Sequence, residues 1–102
     1  MSKYQNVKSN GYASKAEERR AGELKLLQRA GKITDLQEQV RYEVLPRQDG
    51  ERAVHYIADF AYTDVDTELE IVEDVKGVRT DAYILKRKLM LYTLGIKIKE
   101  VK

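Results

Sequence analysis

The sequence predicts one α/β (α+β) domain built in the order α-β-β-β-α-β. Three observations carry this. Helical periodicity bounded by capping residues occurs twice, once toward each end of the chain. Between the two helices lie three β-rich segments separated by short turn signals, the pattern of an antiparallel meander. The 102 residues suit a single domain with one core.

Residues 1–13 are polar and aperiodic and carry Lys3 and Lys8, so they read as a flexible basic arm, with the domain running over 14–102. Ser14 and Glu17 have the spacing of a capping box. The helix they open is expected to reach Ala30 and stop at Gly31, with Ala21, Leu24 and Leu27 as its apolar stripe. Leu36, Val40, Tyr42 and Val44 share one parity, which predicts a strand near 37–45. The turn 46–50 leads to a second strand over 53–62, and the turn 63–67 to a third over 69–76. Thr80 is the expected N-cap of a second helix over 81–94, closed by Gly95, with Ile84, Leu85, Leu89 and Tyr92 facing inward. Residues 96–101 alternate as a lysine-guarded edge strand.

Composition excludes several chemistries. There is no cysteine and one histidine, His55, so thiolate zinc sites, disulfide scaffolds, Cys nucleophiles and His-pair sites are ruled out. No apolar run approaches the length of a membrane span and no signal-peptide core opens the chain. A cytoplasmic protein without a membrane partner is therefore expected.

The candidate site lies on the strands. Asp74 and Lys76 are two apart on the third strand, so their side chains share a face with Val72 while Glu73 points to the other. Asp59 interrupts an apolar run in the preceding strand, where a carboxylate needs a partner or a metal. If the strands are neighbours, Asp59 and Asp74 converge. Two carboxylates about 4 Å apart repel by about 4 kcal/mol at an effective dielectric of 20. A hard divalent ion such as Mg²⁺ or Mn²⁺ would relieve that.

The acidic-x-Lys tripeptide alone carries nothing, since about two matches are expected by chance. The strand context of Asp74-Val75-Lys76, after another strand-embedded Asp, is the signal. Glu17 lies about 20° from Leu24 on the helical wheel, so a carboxylate there could reach the sheet as an alternative to closing the capping box. His55 reads as an ordinary strand residue, and Asp64, Asp66 and Glu68 as a solvated turn lacking the glycine of a calcium loop. The run Lys86, Arg87, Lys88 is a solvated helix face or a phosphate-contacting one.

Tyr56-Ile57-Ala58-Asp59-Phe60, Val72 through Gly77, Thr80 and Lys86–Leu89, with Ser14–Glu17 and Leu24–Leu27 upstream, resemble a family of small phage and prophage endonucleases in the PD-(D/E)XK nuclease superfamily. Ala58 stands where the superfamily name has a proline. The resemblance implies a restriction-endonuclease-like core with a four-stranded mixed sheet flanked by helices. It implies Asp59 and Asp74 as metal ligands, Lys76 as the residue that positions or activates the attacking water, and Glu17 as a helix-borne acid supporting the metal. Gln39 matches a recurrent glutamine of that family. The implied activity is Mg²⁺-dependent hydrolysis of DNA, structure-specific for branched DNA such as Holliday junctions, by a homodimer in a bacterial host. Arg79, Lys86, Arg87, Lys88, Lys3 and Lys8 would hold the DNA backbone. The alternatives are a non-catalytic DNA-binding or recombination-accessory module and a structural protein–protein module.

Charge is segregated along the chain in a way that suits the first reading. Residues 1–35 carry net +4, residues 36–74 net −8 and residues 75–102 net +6. An acidic centre between basic flanks can collect a cation and hold a polyanion above it.

Overall fold

Ser14 accepts a hydrogen bond from the Glu17 backbone N–H at 3.1 Å and starts the first helix, α1, over Lys15–Arg29. A computed structural model describes residues 11–102, so the basic arm with Lys3 and Lys8 lies almost wholly outside the described residues. The other elements are β1 (Ile33–Leu45), β2 (Val54–Asp64), β3 (Glu70–Val75), α2 (Asp81–Leu94) and β4 (Lys99–Val101). The sheet order is β1-β2-β3-β4, with the first two pairings antiparallel and β3–β4 parallel. The parallel pair is reached through α2, as a parallel connection requires a crossover. The molecule is thus α+β, with a four-stranded mixed sheet and two helices.

Caps explain the boundaries that the sequence predicts well. Thr80 accepts from the Tyr83 N–H at 3.1 Å, and Gly95 closes α2 in the left-handed conformation at φ 70°. Between β1 and β2, Gln48 and Glu51 exchange backbone hydrogen bonds across a two-residue turn whose Gly50 has φ 75°. Asp64 receives the Thr67 N–H at 3.0 Å, so the acidic turn is held by its own aspartate.

Each helix covers its own cluster on the sheet. Tyr83 and Met90 of α2 pack with Val44, Tyr56, Ala58, Ala61, Val72 and Ile98. Ala21 and Leu24 of α1 pack with Ile33, Phe60 and Tyr62. Within β2, Tyr56 and Ala58 face α2, whereas Phe60 and Tyr62, of the same parity, face α1. The same exchange occurs in β1, where Val40, Tyr42 and Val44 lie with α2 but Leu36 lies with α1. Residues of one parity therefore serve two faces. Left-handed backbone at Asp35 (φ 60°) and Gln39 (φ 55°) accompanies that change in β1.

Four expectations are corrected. β1 begins at Ile33 instead of near 37, because its two left-handed residues break the alternation that would have extended it. β4 is three residues long, although Ile96 and Ile98 still pack on the α2 cluster. On α1, Leu27 is exposed and the buried stripe is Glu17, Ala21 and Leu24. On α2, Leu85 and Tyr92 are exposed, and the buried residues are Tyr83 and Met90 with Ile84 and Leu89 beside them. Apolar residues surround most of α2, so periodicity alone does not choose its inner face.

Candidate active site at a fork in the sheet

The β2–β3 ladder runs from Thr63↔Glu70 to Phe60↔Glu73 and ends there. Beyond it, β3 continues pairing only with β4, through Asp74↔Glu100 and Val75↔Val101. The two strands fork, and two side chains take over the backbone groups left unpaired. The Asp59 N–H donates to Asp74 Oδ1 at 3.1 Å, and the Val75 N–H donates to Asp59 Oδ2 at 2.8 Å. An aspartate in each strand is what this fork needs, because a short acceptor must replace a missing carbonyl. The structure therefore brings Asp59 and Asp74 together.

That exchange leaves one oxygen on each carboxylate. Asp74 Oδ2 is buried and has no hydrogen-bond donor among the described residues, and the Lys76 Nζ stands 3.7 Å away. Burial drives the Asp74 carboxyl above its ordinary range, and Lys76 only partly offsets it. The Lys76 ammonium also sits 4.4 Å above the Tyr83 ring, which fixes it over the end of α2.

Glu17 comes to the same place from α1. It is buried, and its carboxylate receives Gln39 Nε2 at 3.0 Å and the Ala13 backbone amide instead of closing the capping box on Ser14. Its pKa is raised, first by burial, then by Asp59 and, more weakly, Asp74. Three acids thus share one electrostatic neighbourhood.

Two clefts lie against this centre, each lined by one of its acids, and Asp59 lines neither. One of about 280 Å³ is lined by Tyr12, Ala13, Glu17, Glu38 and Gln39. The other, about 310 Å³, is lined by His55, Tyr56, Asp74, Lys76, Tyr83 and Lys86. Lys86 thus shares a cleft with Asp74. Arg87 and Lys88 do not; they line a separate groove with Lys97 and Glu100. Arg79 and Arg87 both bind Glu100, at 2.6 and 3.0 Å, so these expected DNA contacts already hold an internal partner.

Glu100 also receives the Tyr83 O–H, and these partners, Arg79 first, lower its pKa to about 2. A carboxylate depressed in the folded state adds stability that is present above its unfolded value near 4.5 and is lost as pH falls toward 2. Glu100→Gln should therefore flatten the acid limb of stability between those values. Thermal melts of both proteins from pH 5 to 2.5 check this. The exposure of Arg79 makes the effect modest and salt-sensitive.

Sequence reasoning did not find the ion pair beneath the site. Glu73 is fully buried on the α1 face and receives Arg20 through Nε at 2.9 Å and Nη2 at 2.7 Å, with the Tyr62 O–H as a third donor. Burial pushes Glu73 up, but Arg20 and Tyr62 outweigh it and hold the carboxyl below its ordinary value. The assignment of Glu73 to the face opposite Asp74 and Lys76 was the available signal, since α1 covers that face. An acid pointing into a core requires a cation, and Arg20 lies one helical turn after Glu17.

The architecture is consistent with a restriction-endonuclease-like core. The chain belongs to the family described as "Protein of unknown function (DUF1064)", whose family model matches residues 1–102. Comparison with curated proteins and with solved structures returns no match. No helix among the described residues is long and apolar enough to cross a membrane.

Proposed function

We propose that this chain is a metal-dependent DNA endonuclease acting at the β2–β3 fork. The observation that carries the reading is Asp74 Oδ2, a buried carboxylate oxygen without a hydrogen-bond donor among the described residues, with Lys76 Nζ 3.7 Å away and two further acids nearby. Lys76 offsets the burial of this carboxylate only in part, and a divalent cation would offset more of it. Among the described residues no group of three or more His, Cys, Asp or Glu side chains is placed to hold a metal ion. The proposal therefore takes Mg²⁺ on two carboxylates only, with waters and phosphate oxygens of the substrate completing its shell. Asp59 and Asp74 would hold it, with Glu17 adding negative charge nearby. When bound, such an ion polarises the phosphodiester and lowers the pKa of water.

The chain's own residues supply the rest. Lys76 would donate to the attacking water and stabilise negative charge developing on it. Lys86, in the same cleft, would hold a phosphate of the DNA backbone. One chain carries one fork, so cutting two strands requires two copies, and a symmetric homodimer is part of this proposal.

The test incubates linear, nicked and four-way-junction DNA with the protein in Mg²⁺, Mn²⁺ or EDTA, alongside Lys76→Ala. Metal-dependent cleavage lost in the variant supports the reading, and a preference for the junction supports branched DNA as substrate. Salt-sensitive DNA binding with no hydrolysis in any metal would replace it with the accessory-module reading. Without DNA, Mg²⁺ should raise the melting temperature at pH 8 more than at pH 4, because protons compete with the ion for Asp74, whose carboxyl burial raises above its ordinary range. An equal shift at both values would argue against a carboxylate site.

A further inference from the structure

Gln39 lies in the interior of β1 with φ 55°, in the left-handed region. An L side chain is disfavoured there, and glutamine lacks the short local hydrogen bonds that let Asn and Asp tolerate it. Glycine would take this conformation freely, so the side chain calls for a reason. Its Nε2 donates to Glu17 Oε2 at 3.0 Å across the gap between β1 and α1. The register from Glu38↔Phe60 to Val40↔Ala58 sets Gln39 beside Asp59. This is also the level at which both strands pass their inward residues from the α2 cluster to the α1 cluster. The strained residue, the face exchange and the acidic centre therefore coincide.

We infer that Gln39 is a positioning residue whose left-handed backbone turns its amide onto Glu17 and holds that carboxylate toward Asp59 and Asp74. Glu17 has a competing use in the capping box, which it does not take up. Gln39 decides between the two. The consequence for metal binding rests on the endonuclease reading, while the contact with Glu17 does not.

Two substitutions separate backbone from amide. Gln39→Gly keeps the left-handed turn without strain and removes the amide, whereas Gln39→Ala removes the amide and keeps the strain. Mn²⁺ binding followed by electron paramagnetic resonance, without DNA, should weaken by about 10–100-fold in both, the usual effect of losing a partner that orients a ligand. Gln39→Gly should melt at or above the wild-type temperature and Gln39→Ala below it. Weakened binding in the glycine variant therefore cannot come from misfolding. Wild-type Mn²⁺ affinity in Gln39→Gly would overturn the inference. A metal-free double-mutant cycle pairs Gln39→Gly with Glu17→Ala, and non-additive melting shifts are expected. Additive shifts would overturn the contact itself. If the wild-type protein binds no Mn²⁺, the metal reading fails and the cycle decides the role of Gln39 alone.

Discussion

Asp74→Asn should lower metal-dependent DNA cleavage by at least about 100-fold, since even partners that only orient a ligand are worth 10–100-fold. The same substitution should leave the metal-free protein as stable as the wild type or more so. The amide keeps an oxygen to accept the Asp59 N–H, which holds the fork together. It removes a charge that burial disfavours. The sign follows from linkage. A carboxyl raised above its unfolded value binds more protons folded than unfolded, so its ionisation subtracts stability as pH rises past that value. At neutral pH the wild-type protein carries that penalty and the variant does not. Urea unfolding in EDTA, set beside the cleavage assay, reads both effects. Loss of activity with marked loss of stability would make Asp74 a structural residue.

Arg20→Ala should destabilise the protein by about 3–5 kcal/mol, a large share of a stability in the usual range of about 5–15 kcal/mol. It leaves Glu73 fully buried with its bidentate partner gone, and Lys99, 3.9 Å away and half exposed, is a poor replacement. Arg20→Lys should recover only part of the loss, because an ammonium cannot reproduce the two-pronged guanidinium contact. Replacing both partners, Arg20→Met with Glu73→Leu, should cost less than Arg20→Ala alone, since no buried charge remains. Equilibrium unfolding of the three variants gives the ranking. A loss under about 1 kcal/mol for Arg20→Ala would mean that Tyr62 and Lys99 suffice to hold the carboxylate.

This ion pair bears on the site by position. Glu73 lies between Val72 and Asp74 on β3, and Arg20 lies on the helix that carries Glu17. The pair clamps the two elements that bring acids to the fork. Partial loss of activity in Arg20→Lys, with Asp74 and Lys76 intact, is the corresponding functional effect.

Much of the centre was legible in residue order. Asp59 in an apolar run, and the split of Glu73 from Asp74 and Lys76 across β3, follow from strand periodicity and from the cost of burying charge. Thr80 and Gly95 mark the ends of α2 because capping is a local interaction. Gln39 was noticeable only through resemblance, since nothing in the string reports a left-handed backbone at a glutamine. Leu85 and Tyr92 were misplaced because α2 is apolar on several sides, and only the sheet beneath it selects Tyr83 and Met90.

Element order, fold class and the residue types available for chemistry follow from residue order, because caps, turns and period-two alternation act over a few neighbouring residues. The acidic middle between basic flanks belongs to that level too. Packing of distant segments sets where β2 and β3 part, that Asp59 and Asp74 take over each other's ladder at the parting, and that Glu17 turns to Gln39 instead of Ser14. It also pairs Arg20 with Glu73 across 53 positions. These are contacts between distant segments, set by which faces pack and where a ladder ends, and a local pattern carries no record of either.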